Sequence, residues 1–274
     1  MTTQTWFITG TSSGLGLILT EKLLRRGDRV FATVRRAGPL DSLQEEFGEQ
    51  LIVDHLDVSK EGAARLSVNR AFDRFGQIDV VVSNAGYGLY GAAEEVTGAQ
   101  IRHQIDTNLI GSIDVIRAAL PHLREQGGGR IVQISSGGGQ VTLPNYSVYH
   151  ATKWGIEGFV EAVAQEVATF GIQCTIVEPG AAATNFLKSL DSTPAMDVYK
   201  DTPSGKWREL IASGAFDDFG NPEKMCSTII DFIDSGNPAL RLPLGGQTAD
   251  FIEQTLQKRL EDMRAVRDYS VAAD

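Results

Sequence analysis

The sequence predicts an α/β protein built on a parallel sheet with helices on both faces. Three observations predict it. Short, uniformly apolar runs alternate with amphipathic segments through most of the 274 residues, the pattern of βαβ units whose sheet is covered on both sides. A glycine-rich turn, Thr9 to Gly16, lies between the first apolar run and the first amphipathic segment. No repeat, low-complexity tract or linker interrupts the series, so residues 1–274 read as one domain.

Residues 6–8 are the first strand, and 17–26 a helix closed by Gly27. Residues 29–34, 51–53 and 78–82 are further strands, separated by helices at 40–47 and 59–75. Ser59 is the expected N-cap of the latter and Gly76 its stop. A long helix is expected at 108–126, with Pro121 bending it or ending its regular part. Strands follow at 130–135 and 172–178, around a helix at 148–169. Between 185 and 220 the period is lost while Phe186, Leu187, Trp207 and Phe216 remain. A long irregular segment rich in large apolar residues reads as a substrate lid. A helix at 221–235, a strand at 239–242 and a charged helix at 248–267 complete the chain.

Composition excludes several classes. Lys and Arg number 25 against 35 Asp and Glu, a formal net charge of −10. Coating of nucleic acid or of an anionic membrane is electrostatic and is not expected of such a chain. No apolar window approaches the ~18 residues of a membrane span. The first residues lack a basic and apolar leader, so the expected location is cytoplasmic. Cys174 and Cys226 form no C-x-x-C pair and read as buried free thiols. His55, His103, His122 and His150 have no ligand spacing, and no metal is expected. His150 is expected to point away from the face carrying Tyr149.

The turn Thr9-Gly10-Thr11-Ser12-Ser13-Gly14-Leu15-Gly16 would bring backbone N–H groups and a helix N-terminus to a pyrophosphate. The second strand ends in Arg35-Arg36, with no acid before Asp41. An acid there would repel a 2′-phosphate, whereas an arginine grips one, which favours NADP(H) over the alternative NAD(H). Arg35 is the first contact and Arg36 the next. Tyr149 and Lys153 stand i, i+4 on one helix face, the arrangement that sets an ammonium beside a phenol. The positive charge is expected to lower the phenol pKa from ~10.

Five stretches together resemble the short-chain dehydrogenase/reductase family over residues 5–184. They are T-G-x-x-x-G-x-G from Thr9, Asp57-Val58, Asn84-Ala85-Gly86, Tyr149-x-x-x-Lys153, and Pro179-Gly180 with Thr184. The resemblance implies a Rossmann-type doubly wound sheet of about seven strands in the order 3-2-1-4-5-6-7. It implies hydride transfer between a nicotinamide cofactor and a carbonyl or secondary alcohol. Gly10, Ser12, Ser13, Gly14, Leu15 and Gly16 would then border the pyrophosphate, with Ser12 or Ser13 also able to face a 2′-phosphate. Asp57 and Val58 would meet adenine. Asn84, Ala85 and Gly86 would form the cofactor wall, and Pro179, Gly180, Ala182 and Thr184 would lie at the nicotinamide.

By the same resemblance Asn108, Ser136, Tyr149 and Lys153 form a catalytic tetrad. Ser136 binds the carbonyl oxygen, Tyr149 exchanges the proton, and Lys153 holds the ribose. Asn108 serves a water relay, and Ser135 is a structural hydroxyl. The run from Ser136 to Asn145 is similar to that of 17β-hydroxysteroid dehydrogenases and retinol-type reductases. It implies a hydrophobic substrate lined by Leu143, Tyr146, Phe186 and Trp207, with Gly137 to Gly139 leaving room for it. A reductase of small polar keto or sugar substrates and a non-catalytic NADP-sensing regulator are the alternatives. Many relatives pair through the helices at 108–126 and 148–169, so a homodimer or homotetramer is expected.

Overall fold

The computed structural model describes residues 3–182, 190–214 and 220–273. Seven strands form one parallel sheet: β1 (Thr5–Ile8), β2 (Arg29–Val34), β3 (Leu51–His55), β4 (Val80–Ser83), β6 (Gly129–Ile134), β7 (Ile172–Pro179) and β9 (Arg241–Leu244). Their order is β3-β2-β1-β4-β6-β7-β9. Counting the strands of this sheet alone, that is the expected 3-2-1-4-5-6-7. Two strands of two residues, β5 (Leu89–Tyr90) and β8 (Asp191–Ser192), pair as a separate small sheet that the apolar pattern was too short to announce.

Both faces of the sheet are buried, which explains why its strands are apolar without alternation. One face packs on α1 (Gly14–Arg25), α2 (Asp41–Phe47) and α8 (Pro222–Asp234), through Leu19, Leu23, Leu43, Cys226 and Ile229. The other packs on α3 (Ala63–Phe75), α5 (Gly111–Glu125) and α6 (Ser147–Glu166), through Val68, Ile116 and Ile156. Strand order reverses between β1 and β4, and ligands of open α/β sheets bind at the carboxyl ends of strands beside such a reversal. Cys174 and Cys226 are buried and free. No helix among the described residues is long and apolar enough to cross a membrane.

Several expectations need correction. Ser59 caps no helix: its hydroxyl and amide both donate to Asp57 Oδ1, and α3 starts after Gly62, whose φ of 74° turns the chain. The helix expected from 108 begins ten residues earlier as α4 (Gly98–Ile105), set by a capping box between Thr97 and Gln100. It passes through a π-helical turn, Asp106–Ile110, into α5. Pro121 lies inside α5 and does not end it. The described part of the 185–220 segment is not irregular, since it carries β8 and α7 (Pro203–Ala212), which opens on a Thr202 cap and a proline in its first turn. The chain ends in α9 (Gly246–Ala265) and α10 (Arg267–Val271).

Candidate active site

The glycine turn is built by β1, α1 and the end of β4. Asn84 Nδ2 donates to the carbonyls of Thr9 and Gly10 at 2.8 and 3.0 Å, and the Thr9 hydroxyl accepts from the amides of Asn84 and Ala85. A Cβ on Gly10 would sit 2.8 Å from Ala85 Cα, and one on Gly16 would sit 2.4 Å from the Gly10 carbonyl oxygen. Gly14 opens α1 with a φ of 58°. Ser13, at the N-cap, makes no side-chain cap bond, and the first turn carries no acid. The first N–H groups of α1 are therefore left to a ligand, and their partial positive charge suits an anion. Ser12 and Ser13 are exposed beside them, and Leu15 is half-buried. This cradle fits a dinucleotide pyrophosphate.

Around it, Arg35 and Arg36 leave the end of β2 into solvent. The positive charge of Arg35 reaches Asp57, whose carboxyl is held below its usual range mainly by its two bonds from Ser59, against the opposing effect of burial. Val58 packs under α5, where a Cβ on Gly111 would lie 2.8 Å from it. Gly86 faces Asn108 Oδ1, 3.2 Å from where its Cβ would be. Gly180 donates to the Leu244 carbonyl, Pro179 ends β7, and Ala182 forms a parallel bridge with Gly220. Thr184 and Phe186 lie outside the described residues, as do Leu187 and Phe216.

Ser136, Tyr149 and Lys153 are brought together. Ser136 follows β6, and its hydroxyl accepts from the Gly138 amide at 3.0 Å. Tyr149 and Lys153 are one turn apart on α6, both buried. The Tyr149 hydroxyl is hydrogen-bonded with the Ser136 side chain. Lys153 Nζ donates to the Ile134 carbonyl at 3.0 Å and lies 5.7 Å from the centre of the Tyr149 ring. Asn108 sits in the π-helical turn, and both ends of its amide bind the Tyr87 backbone, Nδ2 to the carbonyl at 2.8 Å and Oδ1 from the amide at 3.1 Å. It clamps the segment after β4.

The expected fall in the phenol pKa is not found in the protein alone. Burial pushes Tyr149 up to about 12 despite the Ser136 bond, and burial pushes Lys153 down to about 8, opposed by the charge of Glu157. Desolvation disfavours the charged form of each group, and it is the largest cause of both shifts.

The Gly137 to Gly139 run is also not open space. A Cβ at Gly137 would meet Thr248, one at Gly138 would meet the His150 ring, and one at Gly139 would collide with Glu157. These glycines make room for the protein's own side chains. Ser135 donates to Glu157 Oε1 at 2.6 Å, the structural role expected of it. Gln140 then bridges Glu157 to Glu178, and Arg241 from β9 binds both carboxylates.

Tyr146 and Tyr149 form one buried cluster with Tyr90, and Trp207, Leu190 and Ile211 pack against it. Leu143 lies outside this cluster and is exposed. Sequence reasoning missed Tyr90 because β5 is two residues long. The only available signal was its place shortly after Asn84-Ala85-Gly86. His150 is buried rather than merely turned away, and both its ring nitrogens are bonded.

A doubly wound sheet with a glycine-lined anion cradle at its switch point and a Ser–Tyr–Lys grouping beside it is the framework of a dinucleotide-dependent oxidoreductase. The chain belongs to the short-chain dehydrogenase/reductase family: the short chain dehydrogenase family model matches residues 4–195. It is 34% identical over 272 residues to Oxidoreductase BOA17 of Botryotinia fuckeliana, covering 99% of both chains. It is 34% identical over 254 residues to human retinol dehydrogenase 8, covering 87% of this chain and 80% of that one. A short-chain dehydrogenase from Streptomyces avermitilis superposes with a TM-score of 0.91 at 34% identity, over 99% of this chain and 100% of that one. An actinorhodin polyketide ketoreductase variant solved with NADPH superposes at 0.76 and 28% identity, over 90% and 97%.

Proposed function

We propose that the protein interconverts a carbonyl and a secondary alcohol on a hydrophobic substrate, using NADP(H), with Tyr149 as general acid/base. The observation that carries this reading is the convergence of the Ser136 hydroxyl, the Tyr149 phenol and the Lys153 ammonium beside the switch point. Bound NADP(H) supplies or accepts the hydride. In reduction, Ser136 donates a hydrogen bond to the substrate carbonyl and Tyr149 delivers the proton to the oxygen. Burial keeps that phenol protonated, so the proton is present when the alkoxide develops. Lys153 would hold the ribose of the bound cofactor, and Asn108 keeps the segment after β4 in place.

The glycine cradle at Gly10, Gly14 and Gly16 supports dinucleotide binding, and Arg35, Arg36 and the exposed Ser12 and Ser13 support NADP over NAD. The aromatic cluster of Tyr90, Tyr146 and Trp207 beside Tyr149 supports an apolar substrate. The name of one relative, retinol dehydrogenase 8, is in keeping with that chemistry.

Tyr149→Phe tests the reading on a panel of steroids, retinoids, aryl ketones and sugar alcohols. Turnover should fall by roughly 10²–10⁴, while NADPH fluorescence still reports cofactor binding. A Tyr149→Phe variant as active as wild type would remove the tyrosine from the mechanism. A wild type that turns over no member of the panel, yet changes a protein partner on adding NADPH, would make it a sensor.

A further inference from the structure

We propose that His150 is a positioning residue whose neutral imidazole latches residues 137–146 onto α6, and that protonating it releases the latch. His150 Nδ1 lies 2.8 Å from the Gly138 carbonyl oxygen, and its Nε2 lies 2.9 Å from the Leu143 amide nitrogen. A carbonyl only accepts and an amide N–H only donates. The partners therefore fix one tautomer, with the proton on Nδ1 and a lone pair on Nε2. The ring thus closes the loop at two points five residues apart.

Gly138 links this latch to the site. Its carbonyl receives the imidazole, while its amide donates to Ser136 Oγ at 3.0 Å. The same imidazole holds the backbone of Leu143, on the stretch expected to face substrate. The effect on catalysis rests on the reading of Ser136 given above; the latch itself does not. Gly138 is required because a Cβ there would lie 2.8 Å from Nδ1.

An imidazolium would place an N–H against the Leu143 N–H, two donors with no acceptor between them. The groups around the ring do not favour that charge. From α6 it meets Tyr149 and from the loop Tyr146, each with ring centres 5.9 Å away, and Lys153 stands one turn along. The rest of the loop meets it through the Gly138 and Leu143 backbone, and α9 brings Arg259 to the nearby Gln140 carbonyl. Glu157 is engaged by Ser135, Gln140 and Arg241. Burial accordingly holds the His150 pKa below its ordinary 6.5. The latch is complete above pH 6.5 and weakens as pH falls toward the lowered value.

Two substitutions in the full chain separate the two bonds. In His150→Asn the amide nitrogen takes the place of Nδ1 and keeps the Gly138 bond alone. In His150→Gln the amide oxygen reaches the place of Nε2 and keeps the Leu143 bond alone. The measurement is amide hydrogen exchange of Leu143 from pH 7.5 down to 4.5, corrected for the intrinsic rate. In wild type its protection should fall at least tenfold on acidification while the amides of β1 and β4 hold. His150→Gln should abolish that pH step, and His150→Asn should lack the protection already at pH 7.5. With a substrate from the panel, the acid-side loss of kcat/KM should vanish in His150→Gln, and KM should rise more than kcat falls in His150→Asn. Protection of Leu143 independent of pH in wild type, or ¹⁵N spectra placing the proton on Nε2, would overturn the latch. An active Tyr149→Phe variant would instead overturn the catalytic reading and leave the exchange result standing.

Discussion

Lys153 holds its ammonium 5.7 Å from the centre of the Tyr149 ring, one helical turn away, with both side chains buried. Burial drives the two in opposite directions, the lysine down to about 8 and the phenol up to about 12. At neutral pH the pair therefore rests as a protonated phenol beside an ammonium that is nearly ready to lose its proton. A ligand bearing negative charge favours the charged lysine.

The first prediction follows from that linkage. NADPH binding should weaken as pH rises from 7 to 9, because above about 8 the free protein carries a neutral Lys153 that must be recharged on binding. Lys153→Met should bind roughly tenfold more weakly at pH 7, the loss of one hydrogen bond to a charged donor. It should also lack pH dependence in this window. Fluorescence titration of NADPH at half-unit pH steps measures both.

Arg35 decides the second. Its charge is exposed and its neighbour Asp57 is already satisfied by Ser59, so the guanidinium is available to a phosphate. Arg35→Ala should reduce NADPH affinity by roughly 10–100-fold, about 1.5–3 kcal/mol for a charge-assisted bond. NADH affinity should change by less than about threefold. Equal losses for both cofactors would place the arginine away from the 2′-phosphate.

Much of this framework is legible in the sequence because it depends on local rules. Apolar runs without alternation give the seven main strands, and the Thr9–Gly16 spacing gives the anion cradle. What escapes is what depends on distant partners. Thr97 and Gln100 form a capping box ahead of an eight-residue helix whose one buried residue is the polar Gln104. The Gly137–Gly139 run reads as room for substrate, yet Thr248, His150 and Glu157, from 12 to 111 positions away, fill it. Nothing near Tyr149 in the chain announces that burial raises its phenol.

Two glycines, one in the run after Ser136 and one on α6, make the third prediction. A Cβ on Gly139 would collide with Glu157 Oε1, within the buried Ser135–Glu157 bond, so Gly139→Ala should destabilise by about 1–3 kcal/mol. Gly158 is exposed near the middle of α6 with nothing within 4 Å of a Cβ. Gly158→Ala should stabilise by about 0.5–1 kcal/mol. Urea unfolding of both variants tests the opposite signs.

Arg241 carries the last prediction. Its guanidinium binds Glu157 and Glu178, whose side chains are 3% and 1% exposed, and also Glu161, which is largely in water. The Glu161 contact adds little, because an exposed pair is weak. The other two carboxylates cannot be rehydrated when their partner is lost. Arg241→Leu should therefore cost about 3–5 kcal/mol at pH 8. Burial already raises the Glu157 pKa while the arginine opposes it. Removing the arginine should raise it further, so the folded variant takes up a proton that the unfolded chain does not. By linkage the deficit should shrink as pH falls from 8 toward 5.5. Urea midpoints across that range check the slope. A deficit constant with pH would mean that lost packing, not stranded charge, is the cause.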